Sequence, residues 1–237
     1  MQLSKRLYAV ADMVTLGNRV ADIGCDHAYV SIYLTENDIC PHVIAMDVNQ
    51  GPIDRARENI RRYGFEDRIE TRKSNGLEKL HLEEADTILL AGMGGELMLQ
   101  ILTLRQDILS GISELILQPQ SEIHKVRMGL DNMGFLIICE NMIVDEGKYY
   151  VVMKARPMRA INAPDDYRLV KKEDFYFGRL LLEDKHPMLM EYLNRELEQC
   201  NRICHTLMQE NTEKSVQRQK EIMDKINLIQ TAMTYFN

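Results

Sequence analysis

The segment VADIGCDHAY, residues 20–29, sets two carboxylates, Asp22 and Asp26, and an imidazole, His27, around one glycine, Gly24. An apolar run that meets glycine and turns has the outline of a strand-to-helix nucleotide turn. The dinucleotide pattern G-x-G-x-x-G needs two further glycines. Here the second position is Asp26 and the third is Tyr29. Two like charges ~4 Å apart repel by roughly 4 kcal/mol at an effective dielectric of 20, so a pyrophosphate is disfavoured beside these acids. A cation reverses the sign. S-adenosylmethionine (SAM), with a sulfonium, an ammonium, one carboxylate and no phosphate, suits such a turn. Its carboxylate can still use backbone N–H groups at the helix start near His27.

Three more turns point the same way. Asp47 follows Gly24 by 23 residues at the end of a second apolar run, with Val48 next to it. An acid there is placed to hold two ribose hydroxyls, in NAD or SAM alike. A third run exits at Ser74-Asn75-Gly76, where Asn75 suits an adenine edge and Gly76 permits close approach. A fourth exits at Ala91-Gly92-Met93-Gly94-Gly95. Open α/β sheets bind ligands at the carboxyl ends of their strands, where all four exits lie.

The elements that must position these residues alternate in period. Residues 3–16 read as a helix with Leu3, Leu7, Val10, Ala11 and Val14 on one face. Strands follow at 19–23, 42–48, 68–74, 86–91 and 114–118, with helices at 27–37, 52–63, 95–105 and 121–133. This alternation predicts a parallel sheet covered on both faces. Runs at 135–144 and 148–155 are too close together for a helical crossover, so they must pair antiparallel. A parallel sheet ending in an antiparallel hairpin is the Rossmann-like α/β sheet of class I SAM methyltransferases, by analogy of fold.

Residues 157–164 read as a linker, dividing a domain over 1–157 from a helical one over 158–237. Met190, Leu193, Leu197, Cys200, Cys204 and Leu207 form one apolar seam; Ile222, Ile226, Ile229, Met233 and Phe236 form another. Steps of three and four residues predict a coiled coil. The polar break QENTEK (209–214) favours two antiparallel helices over one continuous helix that dimerises.

Bulk properties narrow the field. No apolar run approaches ~20 residues, and the N-terminus lacks a signal-peptide core, so a cytoplasmic protein with no membrane partner is expected. Five scattered cysteines with no C-x-x-C predict reduced thiols and no metal site. The net charge is −7: 17 basic against 23 acidic residues up to Pro157, and 12 against 13 beyond. That counts against general nucleic-acid affinity, leaving only local patches to touch phosphate. The arginines of ARENIRRYG, Arg61 and Arg62 among them, with Arg68, Arg72 and Lys73, form the main candidate, and Lys171-Lys172 a second.

LSKRL (3–7), ADIGCDHAY (21–29), AGMGGELM (91–98), LILQPQ (115–120), DEGKYYVV (145–152) and the tail stretch FGRLLLEDKHPMLMEYLNREL (177–197) resemble the bacterial tRNA (adenine-22-N1)-methyltransferases over nearly the whole chain. The resemblance implies a SAM-binding catalytic domain, a coiled-coil domain and tRNA as substrate. It implies a cofactor pocket of Asp22, Gly24, Asp47, Val48, Asn75, Gly76, Ala91, Gly92 and Met93, and Asp26 with His27 as the catalytic pair. Arg6 is expected near the SAM carboxylate or a tRNA phosphate. Tyr29, Gly94, Gln118 and Pro119 are expected at the target base, and Arg61 and Arg62 on tRNA. The chain is expected to act as a monomer or homodimer.

What the sequence lacks agrees with that reading. No Asp/Asn-Pro-Pro-aromatic motif follows the fourth strand to grip an exocyclic amine, and no Pro-Cys supplies a nucleophile for C5 methylation. Adenine N1 needs neither, because its lone pair lies in the ring plane. The rivals are a SAM methyltransferase acting on another RNA, a protein or a small molecule, and a non-enzymatic SAM-binding scaffold. An NAD dehydrogenase is disfavoured by the acidic turn and the terminal hairpin.

Overall fold

The computed structural model describes residues 1–160, 169–209 and 212–237. The chain divides into two compact units, Met1–Arg168 and Leu169–Asn237.

The first unit is built on seven strands: β1 (Val20–Ile23), β2 (Val43–Asp47), β3 (Ile69–Lys73), β4 (Thr87–Met93), β5 (Glu114–Pro119), β6 (Phe135–Asp145) and β7 (Lys148–Pro157). Their order across the sheet is β3-β2-β1-β4-β5-β7-β6. Pairs from β3 through β5 are parallel, and β7 runs antiparallel to both β5 and β6. The expected hairpin therefore forms, and β7 inserts beside β5 with β6 outside it. This is the Rossmann-like methyltransferase sheet. β1 and β5 are buried along their whole length between two helical layers, including the carboxylates Asp22 and Glu114.

The helices are α1 (Lys5–Asp12), α2 (Tyr29–Glu36), α3 (Gln50–Tyr63), α4 (Gly95–Leu104), α5 (Gln106–Leu109) and α6 (Ile123–Asn132). α1, α2 and α3 bury Val10, Ile32, Leu34, Ala56 and Ile60 against Val43, Leu89, Ile116 and Val152 on one face of the sheet. Residues alternate faces along a strand, so Ile88, Leu90, Leu115 and Leu117, all fully buried, point to the other layer with Met98 and Leu102 of α4 and Val126 and Leu130 of α6. Each such side chain contributes about 1.5–3 kcal/mol by leaving water. The first helix is shorter than its apolar pattern. Ser4 caps its start, accepting from the Leu7 N–H at 3.3 Å, and the chain turns at Gly17 with φ +89°.

In the second unit a π-helical turn (Asp174–Gly178) leads into α7 (Arg179–Glu183), then α8 (Pro187–Leu207) and α9 (Glu213–Met233). Only residues 208–212 separate α8 from α9, and the two pack together, which excludes the continuous helix. Leu189, Leu193, Cys200 and Cys204 are buried on one, Ile222, Ile226, Ile229 and Ala232 on the other. Lys225 pairs with Glu196 at 2.6 Å across the hairpin. The break holds no Gly or Pro; α9 starts on a capping box in which Thr212 and Ser215 satisfy each other's backbone N–H groups. Residues 210 and 211 of that break, and 161–164 of the expected linker, lie outside the described residues. Pro157 ends β7, and Met158–Ala160 forms a single 3-10 turn. Among the described residues no helix is long and apolar enough to cross a membrane, and none of the five cysteines is in a disulfide.

Candidate active site

The strand order reverses between β1 and β4, because β2 and β3 lie on one side of β1 and β4 and β5 on the other. Chains leaving adjacent strands in opposite directions open a crevice at their carboxyl ends. The β1 exit fills one wall. Gly24 has φ +76°, Asp26 +44° and Ala28 +58°, after which α2 begins at Tyr29. The ends of this turn are tied by the Gly24 and Cys25 N–H groups donating to Met46 O at 2.8 and 3.1 Å, and by Ala28 N–H donating to Cys25 O at 2.8 Å. Asp tolerates the left-handed region moderately well; Ala does not.

The β4 exit fills the other wall. The pairing of β4 with β5 slips at Gly92, a bulge with φ +80°. A Cβ on Gly24 would sit 2.9 Å from Met93 Cε, and one on Gly92 3.3 Å from Arg6 Nη1. At both glycines the positive φ strains any other residue, and a Cβ would have to push aside the end of the Met93 or Arg6 side chain. Between the walls lies a cleft of about 370 Å³, reached by Arg6, Asp22, Asp26, His27, Tyr29 and Gln120.

Asp22 is 4% exposed and accepts from Ser31 Oγ at 2.6 Å. Burial pushes its carboxyl up to about 6, and the Ser31 hydrogen bond offsets only part of that. At the rim, Asp26 Oδ1 accepts from Arg55 Nη2 at 2.9 Å and its Oδ2 lies 3.6 Å from His27 Nε2. The His27 ring stacks on Tyr29, with centroids 5.1 Å apart and planes at 9°. Arg6, on α1, donates to Gln118 Oε1 at 2.8 Å and lies 5.7 Å from the Tyr150 ring centroid.

Of the residues singled out in the sequence, Arg6, Asp22, Gly24, Asp26, His27, Tyr29, Ala91 and Gly92 meet at this cleft. Met93 reaches it through its contact at Gly24, and Gln118 through Arg6. Gly94 caps α4, where a Cβ would lie 3.1 Å from Ser121 Oγ, and Pro119 ends β5, buried. Asp47 and Val48 lie at the neighbouring β2 exit, where Asp47 Oδ1 accepts from Asn49 N–H at 2.8 Å. Asn75 turns away: its Nδ2 donates to Glu78 Oε1 at 2.7 Å, and it lines a separate hollow of about 220 Å³ with Leu97, Ile101 and Arg105. Gly76, φ +54°, backs onto Ile101.

Arg61 and Arg62 are not brought to the cleft. They occupy the last turn of α3, which starts at the carboxyl edge and runs down to the amino edge. The basic patch is largely neutralised: Arg55 pairs with Asp26, Arg57 with Asp54, Arg61 with Glu66, Arg68 with Asp38, and Arg72 with Glu70 and Glu84. Lys171 donates to Tyr235 Oη at 2.9 Å, and Lys172 lies over the Tyr176 ring. Sequence reading missed Ser31, Gln120 and Asn59, whose Nδ2 donates to the His27 carbonyl at 3.0 Å. Arg55 and Asn59 are four residues apart on one helix face, a visible spacing that does not say which way the face points. Cys25 also lines the cleft, but burial, reinforced by Asp22, Asp47 and Asp26, drives its thiol far up and disfavours the thiolate.

The family model for TrmK, tRNA (adenine(22)-N(1))-methyltransferase, matches residues 20–231. The chain belongs to the tRNA (adenine(22)-N(1))-methyltransferase family. It is 32% identical over 236 residues to the tRNA (adenine(22)-N(1))-methyltransferase of Bacillus subtilis (strain 168), covering 99% of this chain and 98% of that one. The crystal structure of B. subtilis TrmK superposes with a TM-score of 0.85 at 31% identity, over 98% of this chain and 99% of that one. M. capricolum TrmK, solved in complex with the cofactor product S-adenosyl-homocysteine, gives 0.84 at 28% identity over the full length of both. The activity of the family, methylation of tRNA adenine 22 at N1, is the activity of this enzyme. The match runs on through α8 and most of α9, so the helical hairpin belongs to the m1A22 methyltransferase pattern.

Proposed function

We propose that the methyl group comes from S-adenosyl-L-methionine bound in the cleft between the β1 and β4 exits. The observation that carries this is the buried carboxylate of Asp22, held at about 6 by burial in a glycine-walled cleft. A cation entering there relieves the penalty on its charged form; a diphosphate worsens it. Bound in that cleft, SAM supplies an electrophilic methyl group on a sulfonium.

The residues around it take the following parts. Asp22, Gly24, Ala91, Gly92 and Met93 hold the amino-acid end, with Arg6 facing its carboxylate. Asp47 holds the ribose hydroxyls and Val48 flanks the adenine. Asn75 and Gly76 meet the adenine edge once Asn75 exchanges Glu78 for the ligand. Tyr29, Gly94, Gln118 and Pro119 shape the place of the target base, which must leave its tRNA pairing to enter. Alignment of N1 with the methyl group does most of the work, and good orientation is worth roughly 7–11 kcal/mol in favourable cases. Asp26 stabilises the positive charge that develops on the base and accepts a proton from the acidified N6; His27 orients Asp26 and the base.

Residues 1–157 form the catalytic domain and 158–237 a coiled-coil domain that grips tRNA away from the target base. Arg61 and Arg62, at the far edge, touch its phosphates. The chain works in the cytoplasm, as a monomer or homodimer, with its apolar seam closed between its own two helices. Incubation with labelled SAM and total tRNA, followed by nucleoside analysis and mapping of the reverse-transcription stop, is expected to give 1-methyladenosine at position 22. Asp26→Asn is expected to keep SAM binding and lose at least ~100-fold in turnover. Normal turnover in that variant would remove Asp26 from the chemistry.

A further inference from the structure

We propose that Arg55 and Asn59 are positioning residues: together they clamp the Asp26–His27 turn from α3 and hold it in its reactive shape. The inference rests on the reading that Asp26 faces the base. The backbone bonds of the turn fix its two ends, at Gly24–Cys25 and at Ala28. Between them stand two residues held from outside. Arg55 Nη2 donates to Asp26 Oδ1 at 2.9 Å, and Asn59 Nδ2 donates to the His27 carbonyl at 3.0 Å. Residues four apart on a helix lie one above the other, so one face of α3 grips two successive residues of the turn.

The turn needs such a hold. Asp26 at φ +44° and Ala28 at +58° occupy a region that L-residues avoid, so the segment relaxes when its restraints go. The Arg55–Asp26 pair is about half exposed on both sides, at 48% and 58%. Exposed pairs add little to global stability. A bond of this kind sets direction, so its loss should appear in the reaction and in local order, and hardly in melting. The same bond occupies Arg55, which the basic stretch of α3 otherwise offers to phosphate.

The test compares Arg55→Gln, Arg55→Lys and Asn59→Ala with the intact enzyme. Arg55→Gln is expected to lower the single-turnover rate at saturating SAM and tRNA by about tenfold or more, because small misplacements cost that much. SAM affinity should stay within about threefold and the melting temperature within ~2 °C. Amide exchange at Ala28 should quicken about tenfold while that of Leu89 holds. Arg55→Lys should restore part of the rate, Asn59→Ala should reproduce the faster exchange, and in an Asp26→Asn background Arg55→Gln should cost nothing more. Unchanged rate and unchanged exchange overturn the clamp. A loss that persists in the Asp26→Asn background, with a shallower salt dependence of tRNA binding, overturns it in favour of a phosphate contact. Full activity of Asp26→Asn alone would sink the proposed role of Asp26, and exchange at Ala28 would still decide whether α3 holds the turn.

Discussion

Two buried carboxylates sit at opposite edges of the same sheet, and their surroundings pull them in opposite directions. Glu114, at the amino end of β5, is fully buried. It accepts from Thr15 N–H at 2.9 Å, Thr15 Oγ at 2.6 Å and Thr87 Oγ at 2.9 Å, and pairs with Lys154 at 3.1 Å and Arg156 at 3.5 Å. Burial pushes its carboxyl up, but the Thr15 bonds and Lys154 outweigh that and leave it below the usual range. Asp22, at the carboxyl end of β1, accepts from Ser31 and, among the described residues, is in no ion pair, and burial wins. A group with every partner in place holds the fold. A group left short of charge is a place for a ligand to supply it, and in the proposed reading SAM carries the missing sign.

Removing the satisfied carboxylate should have the larger effect. Glu114→Ala leaves half-buried Lys154 with its ion pair gone, and removing one partner of a buried pair costs about 3–5 kcal/mol. For a protein of this size that is a fall of roughly 6–20 °C in melting temperature by calorimetry. The fraction that stays folded should bind SAM normally. The sign with pH follows from the lowered carboxyl: its stabilisation is present above the unfolded value and fades as pH falls through the folded one. Glu114→Ala should therefore flatten the acid limb of the stability curve. A variant that melts normally but loses SAM would collapse the contrast.

Asp22→Asn should behave in reverse. Its folded carboxyl, near 6, lies above the unfolded value, so its contribution to stability is complete below the unfolded value and lost as pH rises through about 6. At neutral pH an amide there avoids that penalty and keeps the Ser31 bond. The free protein should melt at the same temperature or a few degrees higher, ~2–4 °C per kcal/mol recovered. SAM affinity should fall about 10–100-fold, equivalent to ~1.4–2.8 kcal/mol. Titration calorimetry adds a finer test. Affinity of the intact enzyme should drop as pH falls through about 6, approaching tenfold per unit, and Asp22→Asn should lack that dependence.

These contrasts also mark what the chain made legible. Sheet, hairpin and helical layers followed from apolar periods, because burial on one or two faces leaves a direct imprint on residue type. The cleft was legible where a turn needs unusual backbone, at Gly24 and Gly92, and where like charges crowd, at Asp22 and Asp26. Partners distant in sequence were not. Ser31 beneath Asp22, Arg55 on Asp26 and Lys154 on Glu114 depend on which way a helix face or strand points, and that is decided by packing. Arg55 read as one of a basic run; the fold spends it on a carboxylate. The helix break was visible as polarity, but its cause, the Thr212–Ser215 capping box, lies in geometry.

The smallest expected effect tests the quietest part of the comparison, the charged surface at the amino edge. Most arginines there already face an acid, which weakens their pull on phosphate. Arg62, exposed on the last turn of α3, forms none of the ion pairs that engage Arg57, Arg61 and Arg68. If this edge meets tRNA, Arg62→Gln should weaken binding only about two- to threefold near physiological salt. It should also reduce the slope of log K against log salt by about one, since one fewer counterion is released. Arg61→Gln should do less, because Glu66 already occupies its guanidinium at 3.2 Å. Equal effects of the two would mean that this surface ion pair opens freely for RNA. No effect of either would leave tRNA contact to the carboxyl edge and the helical hairpin.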